Sequence, residues 1–152
     1  MVLTEKESSF IKDMKEQEEL CIKKYGKYAQ EAKCPELKTL LNSLEATERE
    51  HLKTLNEIQS GSEPASPSPL SENNAECKCC QSLYSDKSVK DHDSYLLSDL
   101  LATEKHASSL YNTAIFEFKS PRVRKVLNHI QSEEQQHGEK IYAYMAMNGM
   151  YN

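Results

Sequence analysis

Proline and glycine are scarce in this sequence, five and four in 152 residues, and three of the prolines fall in one stretch, "GSEPASPSPLSENNAECKCCQS". Long runs of one charge are also missing. With 19 Lys and Arg against 24 Asp and Glu, the net charge is -5 and neither sign forms a block, which argues against a nucleic-acid partner. No apolar run approaches the length of a membrane span, and the opening "MVLTEKESSFIKDMKEQEEL" has no apolar core of signal-peptide type. A protein without a membrane anchor, made and kept in the cytoplasm, is the expectation. Cysteine is present but in odd number, at 21, 34, 77, 79 and 80, which does not suit a disulfide framework. Reduced thiols are expected.

What is there is helical periodicity on both sides of that Pro- and Ser-rich stretch, which therefore reads as a mobile connection. Phe10, Met14, Cys21, Tyr25 and Tyr28 recur at three- and four-residue steps, and Leu37, Leu41, Leu44, Leu55 and Ile58 continue the pattern beyond Pro35. Pro35 and Pro121 suit the first turn of a helix, where a missing N–H costs nothing. The pattern predicts helices near 5–32, 35–59, 90–118 and 121–147.

The two helical regions also match each other. Residues 4–60 align without a gap on 90–146, a shift of 86, with eleven identities that include Glu18/Glu104, Tyr25/Tyr111, Pro35/Pro121, Glu48/Glu134 and His51/His137. This reads as an internal duplication of a helical hairpin. A hairpin cannot bury its apolar stripe alone, so the chain is expected to form one all-α domain over 1–152. In this four-helix bundle hairpin 1 covers about 5–59, a linker about 60–88 and hairpin 2 about 89–147. The linker is long enough to cross the bundle from end to end, and a looped-out up-down connection remains the alternative.

The chemistry lies where the stripes are interrupted. Glu18 stands between Met14 and Cys21, Glu104 between Leu100 and Ala107, Glu48 and His51 between Leu44 and Leu55, and Glu134 and His137 between Ile130 and Ile141. Within each hairpin the three groups lie at nearly equal distance from the turn, so all six are predicted to meet near mid-bundle. Four ionised carboxylates in an apolar interior would cost several kcal/mol each, at roughly the scale of buried ions in proteins. No Lys or Arg in these stripes compensates them. Two divalent cations would, with both imidazoles as neutral ligands, and a Glu from two helices with Glu-x-x-His from the other two is a dimetal pattern of helix bundles. Mixed carboxylate and imidazole donors suit iron, with manganese also acceptable, better than structural zinc. The competing reading is a vestigial, protonated or water-filled polar core. Tyr25 and Tyr111, two turns beyond Glu18 and Glu104, either hydrogen-bond the ligand carboxylates or serve as core aromatics. His92, His106 and His129 have no repeat partner and are expected at the surface or in packing. The "CKCC" run at 77–80 is too short for a complete zinc site.

Glu18, Glu48, His51, Glu104, Glu134 and His137 resemble the di-iron ligands of the ferritin-like superfamily, rubrerythrins and bacterioferritins included. The second half, closing on "YMAMNGMY", resembles the coat F family of bacterial spore coat proteins, itself ferritin-like. These resemblances imply a di-iron site reacting with dioxygen or peroxide, as a ferroxidase or peroxidase would, or else a structural coat component assembled with other coat proteins. Metal storage or delivery is a third class. The position where rubrerythrins carry a further glutamate is Ala107, and the sequence shows neither the paired Cys-x-x-Cys of their rubredoxin domain nor a fifth helix, so neither rubrerythrin-type peroxidase activity nor a 24-subunit cage is expected. A homodimer is the assembly suggested by the general frequency of symmetric oligomers.

Overall fold

The computed structural model describes residues 1–70 and 82–151, and among these the chain forms four long helices and no strand. They are α1 (Glu5–Glu31), α2 (Pro35–Gln59), α3 (Lys87–Ile115) and α4 (Pro121–Met147), with a short 3-10 turn at Leu83–Ser85. The architecture is an all-α bundle. Cys77, Cys79 and Cys80 lie outside the described residues. Among the described residues no helix is long and apolar enough to cross a membrane.

Local chemistry sets the helix ends. Thr4 and Glu7 form a reciprocal capping box at the start of α1, and Ser120 accepts from the Val123 N–H at the start of α4. Pro35 and Pro121 occupy first-turn positions, as expected. α3 begins three residues earlier than its apolar pattern suggests, because the Asp86 side chain accepts from the N–H groups of Ser88 and Val89. It also stops three residues earlier, at Ile115, since the chain must be extended by Ser120 (ψ 119°) ahead of Pro121. The last residues before α3 are not the featureless linker expected. Tyr84 is buried and its hydroxyl bonds Asp93 (2.8 Å) and Tyr144 (2.7 Å). Cys34, the buried N-cap of α2, is disulfide-bonded, which departs from the expectation of reduced thiols, whereas Cys21 is a free buried thiol.

Cross-helix bonds give the topology. Along α1, Glu7, Glu18, Tyr25, Tyr28 and Lys33 bond Lys119, Tyr111, Glu104, Asp99 and Asp93 in turn, so α1 and α3 run antiparallel. α1 and α2 are the arms of a hairpin and are antiparallel too, which makes α2 and α3 parallel. The α2 end lies beside the N-terminus, where the Met1 ammonium donates to the Gly61 carbonyl at 2.7 Å. α3 starts at the opposite end, where Asp93 meets Lys33. The end of α2 and the start of α3 therefore lie at opposite ends of the bundle, about 40 Å apart for helices of this size.

Apolar stripes close into two clusters at opposite ends. One is built around Tyr25, Leu37, Leu41, Leu97, Leu100 and Tyr144, the other around Ile11, Met14, Leu55, Tyr111, Leu127 and Ile130. A polar layer separates them.

Two buried acids fasten the ends. Glu7 accepts from its own Thr4 N–H (2.8 Å) and from the Lys119 N–H in the α3–α4 turn (2.9 Å). Asp93, fully buried, accepts from the Lys33 (2.9 Å) and Cys34 (3.1 Å) N–H groups in the α1–α2 turn. The two acids are also 86 residues apart, and each secures the turn of the other hairpin. Burial opposes ionisation of Glu7, but the N–H groups of Thr4 and Lys119 outweigh it and hold the carboxyl below its usual range. A folded-state pKa below the unfolded one gives stability that is present at neutral pH and lost as pH falls through the folded value. Glu7→Ala should cost about 2 kcal/mol at pH 7, from a lost cap and a stranded turn N–H. Urea midpoints of the two proteins, compared at pH 7 and through the acid range, should draw together as pH falls through the folded-state pKa of Glu7.

Candidate metal centre

Each of the six stripe interruptions is inside. Glu18, Glu48, His51, Glu104, Glu134 and His137 are all at most 2% exposed, and together they form the polar layer between the two apolar clusters. Helical spacing puts them there: Glu18 continues the row of Met14, Cys21 and Tyr25, and Glu48 and His51 share a face because residues three apart are neighbours on a helix.

The six arrange as two overlapping groups. Glu18, Glu48, His51 and Glu134 each offer one ligand atom within 4.8 Å of the others, and so do Glu48, Glu104, Glu134 and His137. Glu48 and Glu134 belong to both. His51 Nδ1 lies 3.0 Å from Glu48 Oε2, 3.4 Å from Glu134 Oε1 and 3.7 Å from Glu18 Oε2. His137 Nδ1 lies 3.1 Å from Glu48 Oε1, 3.4 Å from Glu134 Oε2 and 3.7 Å from Glu104 Oε1. Each central glutamate thus turns one oxygen to each imidazole, while Glu18 and Glu104 flank the layer on opposite sides. The two imidazole rings stack with centroids 5.8 Å apart.

Tyr25 and Tyr111 are completely buried and cross over the layer: the Tyr25 hydroxyl donates to Glu104 Oε1, and the Tyr111 hydroxyl to Glu18 Oε1. Of the two roles open to them in the sequence, the contacts are those of hydrogen-bond partners to the carboxylates. Each phenol restrains the flanking glutamate of the other hairpin and leaves that carboxylate's second oxygen unused. Burial, followed by the nearby carboxylates, pushes both phenols well above their ordinary range, so they remain donors.

Charge balance within the layer is under tension. Burial and the neighbouring Glu134 charge push Glu18 well above the usual carboxylate range, and burial raises Glu104 to about 8. Burial works against ionisation of Glu134 too, yet the His137 and His51 imidazoles, each with Nδ1 3.4 Å from one of its oxygens, keep it below that range. Burial disfavours the charged imidazoles, but their carboxylate neighbours, Glu133 first for His51 and Glu104 first for His137, raise both well above the ordinary histidine value. With protons alone to balance them, the six groups reach neutrality with four protons, and these directions favour Glu18, Glu104 and the two imidazoles as the carriers. Even then Glu18 Oε2, Glu104 Oε2 and both oxygens of Glu134 are buried without a hydrogen-bond partner. Unpartnered buried acceptors of this kind fit a cation, and two divalent ions would supply the same +4 as four protons.

One contributor was not anticipated from the sequence. Glu133 Oε2 accepts from His51 Nε2 at 2.9 Å and lies 3.5 Å from His129 Nε2. It fixes the outer nitrogen of His51 so that Nδ1 faces the carboxylates, the part a second carboxylate commonly takes behind a ligating histidine. Its counterpart 86 residues earlier is Thr47, so the repeat carried no signal for it. His92 Nδ1 contacts Asp93 at 3.0 Å and His106 is exposed, so neither approaches the layer.

Residues 92–152 match the family model of the Coat F domain, a span that holds Glu104, Glu134 and His137 but not the first-hairpin donors. No curated protein and no solved structure matches the chain. The second half of the molecule is accordingly similar to proteins of the spore coat F family.

Proposed function

We propose that this chain is a spore coat protein whose single four-helix domain, a duplicated hairpin, holds two divalent metal ions in its central polar layer. The Coat F match supports the coat assignment, and association with other coat proteins goes with it. The four unpartnered carboxylate oxygens carry the metal reading. Glu48 and Glu134 would bridge the two ions, Glu18 with His51 and Glu104 with His137 would complete each position, and Tyr25 and Tyr111 would steady the outer glutamates. The α2–α3 crossover and the donor pattern are both compatible with the ferritin-like resemblance.

The donor set favours iron or manganese, and a pair of such ions supplies redox chemistry toward dioxygen or peroxide. That is the second reading, an oxidoreductase, favoured by donors that include no thiolate; catalytic oxidation of excess ferrous iron, beyond stoichiometric uptake, would distinguish it from metal held for stability or storage.

The test is elemental analysis of protein produced with iron and manganese supplied and purified without chelator. About two ions per chain are expected from the two donor groups. Protein that stays empty after anaerobic reconstitution with ferrous iron would remove the metal reading. Absence of the chain from extracts of purified spore coats would remove the coat reading. Metal loading should also release about four protons per chain near pH 7, measured with a pH indicator in weak buffer, because the ions replace those on Glu18, Glu104 and the two imidazoles. Affinity should accordingly rise from about pH 6 to 8, since protons compete at the low end.

A further inference from the structure

The two faces of the bundle are not equally closed. Between α3 and α4 a cleft of about 550 Å³ reaches the polar layer, with the Glu104 and Glu134 side chains among its walls and Leu101, Ser108, Gln135 and Gly138 around them. Gly138 and Ser108 are what keep it open. A Cβ at Gly138 would have only Leu101 Cδ1, 3.7 Å away, within its reach. At the corresponding positions of the first hairpin stand Leu52, half-buried, and Ile22, buried. The hollow that Leu52 lines on α2 is bounded by Arg49, Lys53, Asn56, Glu57 and Ser60 and includes none of the six central residues.

We propose that the α3–α4 cleft is the entry path by which divalent cations reach the central layer, and that loading is one-sided. This rests on the dinuclear reading of the same residues. The lining is acidic on balance, with Glu104, Glu134 and Glu139 against the one cation Lys105, and just behind it lie Glu104 Oε2 and the Glu134 oxygens, buried and without hydrogen-bond partners. Of the two central residues that line it, Glu134 is common to both donor groups and Glu104 belongs to one. Tyr142 and Tyr151, packed edge to face at 5.0 Å, form one lip.

Anaerobic binding of cobalt(II), followed by its ligand-field absorbance in a stopped-flow instrument, tests the path by rate and without any turnover. Gly138→Leu, which places in the second hairpin the side chain the first one has, should slow loading by about tenfold or more by filling the passage, with unchanged final amplitude and spectrum. Ser108→Ile blocks the same passage independently, should Gly138→Leu fail to fold by circular dichroism. Gly138→Ala should fall between, and Leu52→Ala on the opposite face should load at the wild-type rate. Wild-type rates in both blocking variants, with full amplitude, would overturn the entry path and leave the dinuclear site standing. A wild-type protein that gives no cobalt spectrum would overturn both.

Discussion

Glu48→Ala should reduce bound metal from about two ions per chain to none, whereas Glu18→Ala should leave about one, because only the first removes a donor common to both groups. Glu48 Oε2 faces His51 and Glu48 Oε1 faces His137, so its loss thins both positions at once, from four contributing residues to three. It would also remove one of the two carboxylates that the proposed ions would share. Glu18 contributes to one group only, and the Glu104, Glu134, His137 and Glu48 set remains whole without it. The measurement is metal content after anaerobic ferrous reconstitution and desalting, with helicity checked in parallel. One ion retained in Glu48→Ala would mean that the glutamate does not bridge. Two retained in Glu18→Ala would mean that the flanking acid is dispensable.

Asp93→Ala should be the most damaging substitution away from the central polar layer, lowering stability by about 3 kcal/mol and the thermal midpoint by about 10 °C for a domain of this size. The carboxylate is fully buried and serves four donors: the N–H groups of Lys33 and Cys34, the Tyr84 hydroxyl at 2.8 Å and His92 Nδ1 at 3.0 Å. Alanine strands the Cys34 N–H at a buried helix start and releases the 3-10 turn that leads into α3. Asp93→Asn keeps an acceptor and should lose less than half as much. Thermal and urea unfolding of both variants decide the matter; a loss in Asp93→Ala as small as that in Asp93→Asn would show that charge and acceptor count are unimportant there.

Helix positions were legible because the apolar stripes repeat at helical spacing, and the inward direction of the six central residues was legible because polar side chains interrupt those stripes. The features that escaped are those without periodicity or a repeat partner. Asp86 moved the start of α3 because a side-chain cap leaves no apolar signature. Glu7 and Asp93 match in role but differ in residue type, so a count of identities passed over them. Glu133 sits beside Glu134 in an ordinary acidic pair, and only the direction of His51 Nε2 distinguishes it from a solvated charge. Tyr84 belongs to a polar, proline-containing segment, where a single aromatic residue carries little weight against its surroundings.

The parallel placement of α2 and α3 has a consequence for assembly. Each hairpin forms through contacts close in sequence, but neither donor group is complete within one hairpin: the first borrows Glu134 and the second borrows Glu48. Cations held there would therefore act as a clasp between two hairpins whose donors lie far apart in sequence.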